Sequence, residues 1–169
     1  MKDNTLNNQH PNNVTYLSEN DSIFSSIYLD GRAKEERVYS DLEVAKLPDT
    51  SEVNINYTEW QMRIKSTNRI IQYLKLKKIP LSILDLVCGN GWFSNKLSDI
   101  SATDVYGVDI NDLELTKTAR VFVRDNLKFV YLDIFSEEAK RLPRFDIIII
   151  NSSIQYFDDL DNILKCLKS

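Results

Sequence analysis

The chain has 169 residues, two cysteines, one histidine and a formal net charge of −4. Such a length suggests one domain with a sizeable core, and the acidic balance argues against binding nucleic acid through the field of the whole chain. Cys88 and Cys166 form no CxxC pair and His10 stands alone in a polar segment, so no metal site and no disulfide framework is indicated.

No run approaches the roughly 18 apolar residues of a membrane span, and the N-terminus has no apolar signal region. Reduced thiols in a cytoplasmic protein, without a membrane association, are the expectation. Residues 1–20 are rich in Asn, Asp and Ser and read as a disordered tail in which His10 has no role. Residues 21–58 read as a helical N-terminal extension. Ile23, Phe24, Ile27, Tyr28 and Leu29 suit a short amphipathic helix that Gly31 breaks. Lys34 to Arg37 is a charge run of the kind that lies in solvent. Ser40 or Asp41 is placed to cap a second short helix carrying Leu42, Val44 and Leu47. From Thr58 or Glu59 to about Lys78 a long helix is predicted, with Trp60, Ile64, Thr67, Ile71 and Leu74 on one face and Arg63, Lys65, Arg69 and Lys75 mainly elsewhere. Core packing is the stronger reading of Trp60, with a place in the site as the other, and Pro80 ends the helix.

Ile83, Leu84 and Leu86 then form a short apolar strand that runs into Cys88-Gly89-Asn90-Gly91 and a helix from Trp92 to about Asp99. A buried strand opening a helix through a glycine turn is a ligand-binding unit. Glycine lets the backbone turn sharply and lets a ligand approach without meeting a Cβ. Asp85 lies inside the apolar strand, where an unpaired charge is costly. Asp85-Leu86-Val87-Cys88-Gly89-Asn90-Gly91 resembles motif I of class I S-adenosylmethionine-dependent methyltransferases, an acid followed by glycines at alternate positions. The first of those glycines is Val87 here, and a β-branched residue is expected to hold the turn at φ < 0. Gly89-x-Gly91-x-x-Ser94 also nearly matches the dinucleotide fingerprint, with serine in place of the third glycine, and leaves a nicotinamide-dependent oxidoreductase as a lesser alternative.

The methyltransferase resemblance implies a cofactor, S-adenosylmethionine, and a site for it. Asp85, Val87, Cys88, Gly89 and Gly91 would hold the methionine end. Val105 to Ile110 reads as the next strand, and Asp109 at its end would accept the ribose hydroxyls, with a helix cap as its other reading. A helix over Asp112 to Val123 follows, buried through Leu113, Leu115, Ala119, Phe122 and Val123. Leu127 to Leu132 is the third strand, and Asp133 would take the adenine amino group while Ile110 and Ile134 flank the ring. The other reading of Asp133 is an N-cap for a short helix over Ser136 to Leu142. Phe145 to Ile150 contains four consecutive isoleucines and suits a strand covered on both faces of a parallel sheet. Asn151 would complete the cofactor site, and Ser152, Gln155 and Tyr156 would face the methyl acceptor. Tyr28, Arg32 and Tyr39 are lid candidates by the same analogy, with packing on the core domain as their other reading, and no residue presents itself as a catalytic base. A last helix, Asp158 to Leu167, buries Leu160, Ile163, Leu164 and Leu167.

The expected fold is α/β, a Rossmann-like doubly wound parallel sheet over residues 59–169 in the order 3-2-1-4, with the family's strands 5 to 7 not represented. The open edge of the fourth strand would then be a place for a partner or for self-association. The expected activity is methyl transfer to a small-molecule acceptor. A non-catalytic module with a methyltransferase-like fold is the alternative from another class.

Overall fold

The structure, a computed structural model, describes residues 13–19 and 30–167. Tyr28 and the apolar residues expected to form a helix beside it, like His10, lie outside the described residues. Five strands make one wholly parallel sheet: β1 (Val14–Tyr16), β2 (Leu81–Leu86), β3 (Thr103–Asp109), β4 (Leu127–Tyr131) and β5 (Ile147–Ile150), in the order β1-β4-β3-β2-β5. The last four strands stand in the order anticipated from the sequence.

β1 corrects the reading of residues 1–20 as a disordered tail, and the sheet therefore has five strands where four were expected. Val-Thr-Tyr is too short a run to show against its polar neighbours, yet it pairs with Phe129 to Tyr131 along the edge of β4. Val14 is fully buried, Tyr16 stacks on Tyr131 with ring centroids 5.4 Å apart, and the Leu17 N–H donates to the Tyr131 carbonyl at 3.0 Å. The added strand covers an edge that would otherwise present unpaired backbone groups.

The helices are α1 (Asp41–Lys46), α2 (Tyr57–Lys77), α3 (Trp92–Ser98), α4 (Asp112–Val121) and α5 (Leu160–Cys166). Residues 30–34 are also helical. Ser40 caps α1 in a reciprocal arrangement, its hydroxyl accepting from the Glu43 N–H while the Glu43 carboxylate accepts from the Ser40 N–H. α2 stops at Lys78, which takes a left-handed conformation ahead of Pro80. The short helix expected over Ser136 to Leu142 is a 3₁₀ helix, Glu137–Arg141.

Alternate residues of each strand feed two apolar clusters, as the pleat requires. Ile83, Val105, Phe129 and Tyr131 join Trp60, Leu74, Trp92, Phe93, Leu97, Leu115 and Ala119 on one side. Leu84, Leu86, Val108, Val130 and Leu132 join Ile163 on the other. Ile147 and Ile149 pack on the first cluster, Ile148 and Ile150 on the second, so both faces of β5 are used. All four remain partly exposed, and among the described residues β5 pairs with β2 alone. Trp60 is core, as its spacing indicated: it is 4% exposed, meets Trp92 edge-on at 5.4 Å, and its indole N–H donates to the Tyr39 hydroxyl at 3.0 Å. Tyr39 is thereby buried against α2 instead of standing as a lid.

The register aligns the C-terminal ends of the strands. Asp85 lies beside Gly107, Leu86 beside Ile150, and Asp109 beside Tyr131. The chain builds outward from β2 through β3 to β4, then returns to the far side of β2 with β5. That reversal opens a crevice beyond the strand ends, where ligands bind in doubly wound sheets.

Candidate active site

The crevice is a cavity of about 750 Å³. Its floor is the turn from β2 into α3. Here the backbone takes left-handed conformations at Val87 (φ 59°), Gly89 (φ 53°) and Gly91 (φ 66°). The expectation that Val87 holds the turn at φ < 0 is therefore corrected. The Cys88 N–H continues the sheet by donating to the Val108 carbonyl at 3.1 Å, so the chain must reverse between Leu86 and Gly89. Val87 absorbs that reversal in a region that β-branched residues avoid. Its side chain packs on the apolar cluster of Leu84, Leu86 and Val108, which compensates in part.

The two glycines serve different ends. A Cβ on Gly89 would meet nothing within 4 Å, so at this position it is the backbone conformation that favours glycine. A Cβ on Gly91 would stand 2.0 Å from Thr118 Cγ2, and here glycine lets α3 close onto α4 and β4. Gly91 does not line the cavity, unlike the other residues assigned to the site from the sequence.

Asp109 ties the floor together. It ends β3, is 6% exposed, and accepts from the Gly89 N–H on Oδ2 at 2.7 Å and from the Asn111 N–H on Oδ1 at 2.9 Å. Each carboxylate oxygen retains a lone pair for a second donor. Burial raises its pKa, while the hydrogen bonds from the Gly89 and Asn111 N–H groups, the adjacent Ile110 N–H dipole and the charge of Arg32 pull it back. Asp109 is not the cap of α4. That role falls to Asn111, whose side chain accepts from the Glu114 N–H at 3.1 Å.

Asp85 sits deeper, 2% exposed in β2, and accepts the Ser94 hydroxyl on Oδ2 at 2.6 Å. Burial pushes its carboxyl up to about 7; the Ser94 hydrogen bond opposes the rise and the nearby Asp109 adds to it. Ser94 occupies the third-glycine position of the dinucleotide fingerprint, yet close packing is achieved from the opposite side. A Cβ on Gly107 of β3 would lie 2.9 Å from Ser94 Oγ and 2.8 Å from the Phe129 ring. The smallness that lets α3 approach the sheet is thus supplied by Gly107. Burial also raises the Cys88 thiol well above its ordinary range, so Cys88 stays neutral.

The far wall comes from the segments after β4 and β5. Asp133 accepts from the Phe135 N–H on Oδ1 at 2.9 Å and its own N–H donates to Ser18 Oγ at 3.0 Å. It shapes the turn and does not cap the 3₁₀ helix, which begins after Ser136. Ile110, Ile134 and Leu132 give this side an apolar surface. Asn151, Ser152, Gln155 and Tyr156 close the cavity beyond β5; Ser152 is left-handed at φ 59° and Gln155 Nε2 donates to the Ser152 carbonyl at 3.1 Å.

Of the near wall, only Arg32, a lid candidate, was legible in the sequence. Arg37, Glu59, Met62, Arg63 and Ser66 line the cavity together with Arg32. Arg37 is only 24% exposed at its side chain and pairs with Glu59, so it does not belong to a solvated run. Arg63 donates to Glu59 Oε1 through Nε at 2.9 Å and Nη2 at 2.6 Å, and stacks over Trp60 at 5.2 Å. Helical spacing places Arg63 off the core face of α2, but only the docking of α2 over the glycine turn turns that face toward the cavity.

A parallel sheet with a glycine turn, and acids from three neighbouring strands facing one crevice, is the arrangement in which doubly wound sheets place their ligand sites. A family profile described as "Methyltransferase domain" matches residues 78–169. The chain belongs to this methyltransferase-domain family. It is 31% identical over 121 residues to a malonyl-[acyl-carrier protein] O-methyltransferase of Acetivibrio thermocellus, a match covering 68% of this chain and 42% of the relative. Among solved structures, magnesium protoporphyrin IX methyltransferase from Synechocystis PCC 6803 with bound S-adenosylmethionine aligns with a TM-score of 0.59 at 17% identity, over 89% of this chain and 73% of that one. The plantazolicin methyltransferase BpumL, in complex with a triazolic desmethylPZN analog and S-adenosylhomocysteine, aligns with a TM-score of 0.56 at 21% identity, over 85% of this chain and 51% of that one. These alignments establish the fold. The chain spans less than half of the acyl-carrier-protein relative and about half of the plantazolicin enzyme. Among the described residues no helix is long and apolar enough to cross a membrane.

Proposed function

We propose that the cavity binds S-adenosylmethionine and that the chain supports transfer of its methyl group to a small-molecule acceptor approaching from the Asn151–Phe157 side. The observation that carries this reading is Asp109. Two backbone N–H groups fix its carboxylate at the end of β3, one of them from the glycine turn, with acceptor capacity left for a pair of adjacent hydroxyls.

The residues present fit the cofactor. Gly89 leaves open space where a side chain would stand. Ile110, Ile134 and Leu132 offer apolar faces for a purine, and the Asp133 carboxylate lies beside them as an acceptor for an exocyclic amine. Asp85 places a second acidic group on the floor, on the side of the methionine end, where a bound ammonium would favour its ionised form. When bound, S-adenosylmethionine supplies an electrophilic methyl group on its sulfonium. The chain's share is orientation and electrostatics. Asn151, Ser152, Gln155 and Tyr156 are proposed to position the acceptor. A small acceptor agrees with the net charge of −4, which disfavours nucleic acid.

Competition between ligands tests the reading. Saturation-transfer NMR of the full chain with S-adenosylhomocysteine should give adenosine signals that unlabelled S-adenosylmethionine displaces and NAD does not. Displacement by NAD at equal concentration would support a dinucleotide site instead.

A further inference from the structure

The outer face of α2 carries a pattern that the cavity does not use. Between Glu59 and Asp85 the sequence has no acidic residue, yet it holds Arg63, Lys65, Arg69, Lys75, Lys77 and Lys78. The whole chain has 25 acidic residues against 21 basic ones, so α2 is a basic strip on an acidic protein. Arg63 pairs with Glu59. Lys65, Arg69, Lys75, Lys77 and Lys78 are exposed, and none of them forms an ion pair among the described residues. The lysines of the last turn complement the helix dipole; Lys65 and Arg69 lie too far upstream to do so. Of the acids on neighbouring elements, Asp99 pairs with Arg124. Asp104 and Asp146 precede Val105 and Ile147, which pack on the α2 side of the sheet, so the pleat sends both acids to the other face.

Apolar side chains stand among these cations. Met62, Tyr73, Leu76 and Ile79 are each more than half exposed. At 3.6 residues per turn, Met62, Lys65, Arg69, Tyr73 and Leu76 share an arc of about 80° and run along roughly 21 Å of helix. The buried residues of α2, Trp60, Thr67 and Leu74, lie on the opposite side. Lys77 reaches back over the Tyr73 ring, 4.6 Å from its centroid. The result is a convex ridge of mixed cationic and apolar side chains, and of that ridge Met62 alone lines the cavity.

The chemistry of the ridge selects its partner. Four of the five unpaired cations are lysines, and protein interfaces are depleted in lysine. A nucleic-acid backbone offers anions but no counterpart for Met62, Leu76 and Ile79. A membrane surface with anionic lipids offers both. Its headgroups meet lysines at any spacing while their stems snorkel, and its acyl boundary takes the apolar side chains. Tyrosine is enriched at that boundary.

We propose that the outer face of α2, through Lys65, Arg69, Tyr73, Leu76 and the lysines of its last turn, docks on an anionic membrane surface. The sequence gave no apolar span and so no reason to expect a membrane association, but attachment to a surface needs none. Met62 and Ser66 of the same helix line the cavity, so a chain seated through α2 holds its cavity beside the lipid headgroups. Docking through α2 is independent of what the cavity binds.

Vesicle co-sedimentation of the full chain tests this, with phosphatidylcholine vesicles compared with vesicles in which about 30% of the lipid is phosphatidylglycerol. The parent chain should bind the anionic vesicles at least tenfold more tightly at low salt, and most of that preference should be lost near 1 M salt. Lys65→Glu with Arg69→Glu should weaken anionic binding at least fivefold. Tyr73→Ser with Leu76→Ser, which leaves the charge unchanged, should weaken it at least threefold. Lys46→Glu with Lys165→Glu makes the same change in net charge at exposed positions on other helices and should stay within twofold of the parent. Circular dichroism checks that each variant is folded, and Lys65→Gln with Arg69→Gln replaces the glutamate pair if that pair is not. A parent chain that does not distinguish the vesicles, ridge variants that bind as the parent does, or a control pair that loses as much as the ridge pair would overturn the assignment. A parent chain that ignores vesicles but dimerises, with the dimer lost in Leu76→Ser, would overturn it in favour of a second copy on the ridge.

Discussion

Replacing Asp85 by Asn tests whether the acid at the centre of the sheet is held neutral by its surroundings. In the folded chain its carboxyl keeps its proton up to about pH 7, whereas its ordinary value is 3.8. Between those values the folded state binds the extra proton, so stability must fall as pH rises across the window and level off above it. An interval from 3.8 to about 7 corresponds to at most about 4 kcal/mol. Asparagine is isosteric, cannot ionise, and can still accept the Ser94 hydroxyl. Its amide N–H₂ has no assigned acceptor in that site, which costs about 1 kcal/mol. The expected net effect at pH 8 is therefore a gain of roughly 2–3 kcal/mol, or about 5–10 °C in melting temperature for a chain of this size. At pH 5, where Asp85 is already neutral, the variant should be level with the parent or about 1 kcal/mol less stable. Thermal unfolding followed by near-ultraviolet circular dichroism from pH 5 to 8.5 at fixed ionic strength reads this directly. Asp109 and Glu114, also raised by burial, give the variant some residual slope of the same sign. If parent and variant melting curves run parallel across the whole range, Asp85 ionises normally and the account of its environment is wrong.

Gly91→Ala should destabilise the chain by at least about 2 kcal/mol, because the new Cβ would stand 2.0 Å from Thr118 in a backbone region that alanine avoids; a denaturant midpoint equal to the parent's would contradict the packing described. Val87→Gly sets relief of about 1–3 kcal/mol of backbone strain against lost packing on Leu84 and Leu86 and a more flexible unfolded chain. Its net change should stay within about 1 kcal/mol, and a loss of several kcal/mol in the same assay would show that Val87 is unstrained.

The core strands were legible because each carries a largely apolar run, unbroken in Ile147–Ile150, and their order followed from the resemblance to the methyltransferase family. The acids were legible because they stand where such runs end or, for Asp85, where a charge interrupts one. β1 was hidden for the opposite reason: Val14 to Tyr16 are three residues in a polar context, and they become a strand only because β4 offers an edge. The turn conformation at Val87 was misjudged from local preference, since the need to bring the Gly89 N–H to Asp109 overrides it. Apart from Arg32, the near wall was hidden because Arg37 and Arg63 lie far apart in sequence, on a charge run and on the non-core face of a helix. Pairing with Glu59 and the docking of α2 bring them together, and neither is a local property.

The most direct measurement is calorimetric titration of the purified chain with S-adenosylhomocysteine, repeated with Asp109→Ala. The account predicts micromolar binding by the parent chain and a loss of at least tenfold in the variant, which gives up acceptors for both the ligand and the Gly89 turn. A folded parent chain that does not bind, or a folded variant that binds as tightly as the parent, would contradict the proposal that this cavity is an S-adenosylmethionine site organised by Asp109.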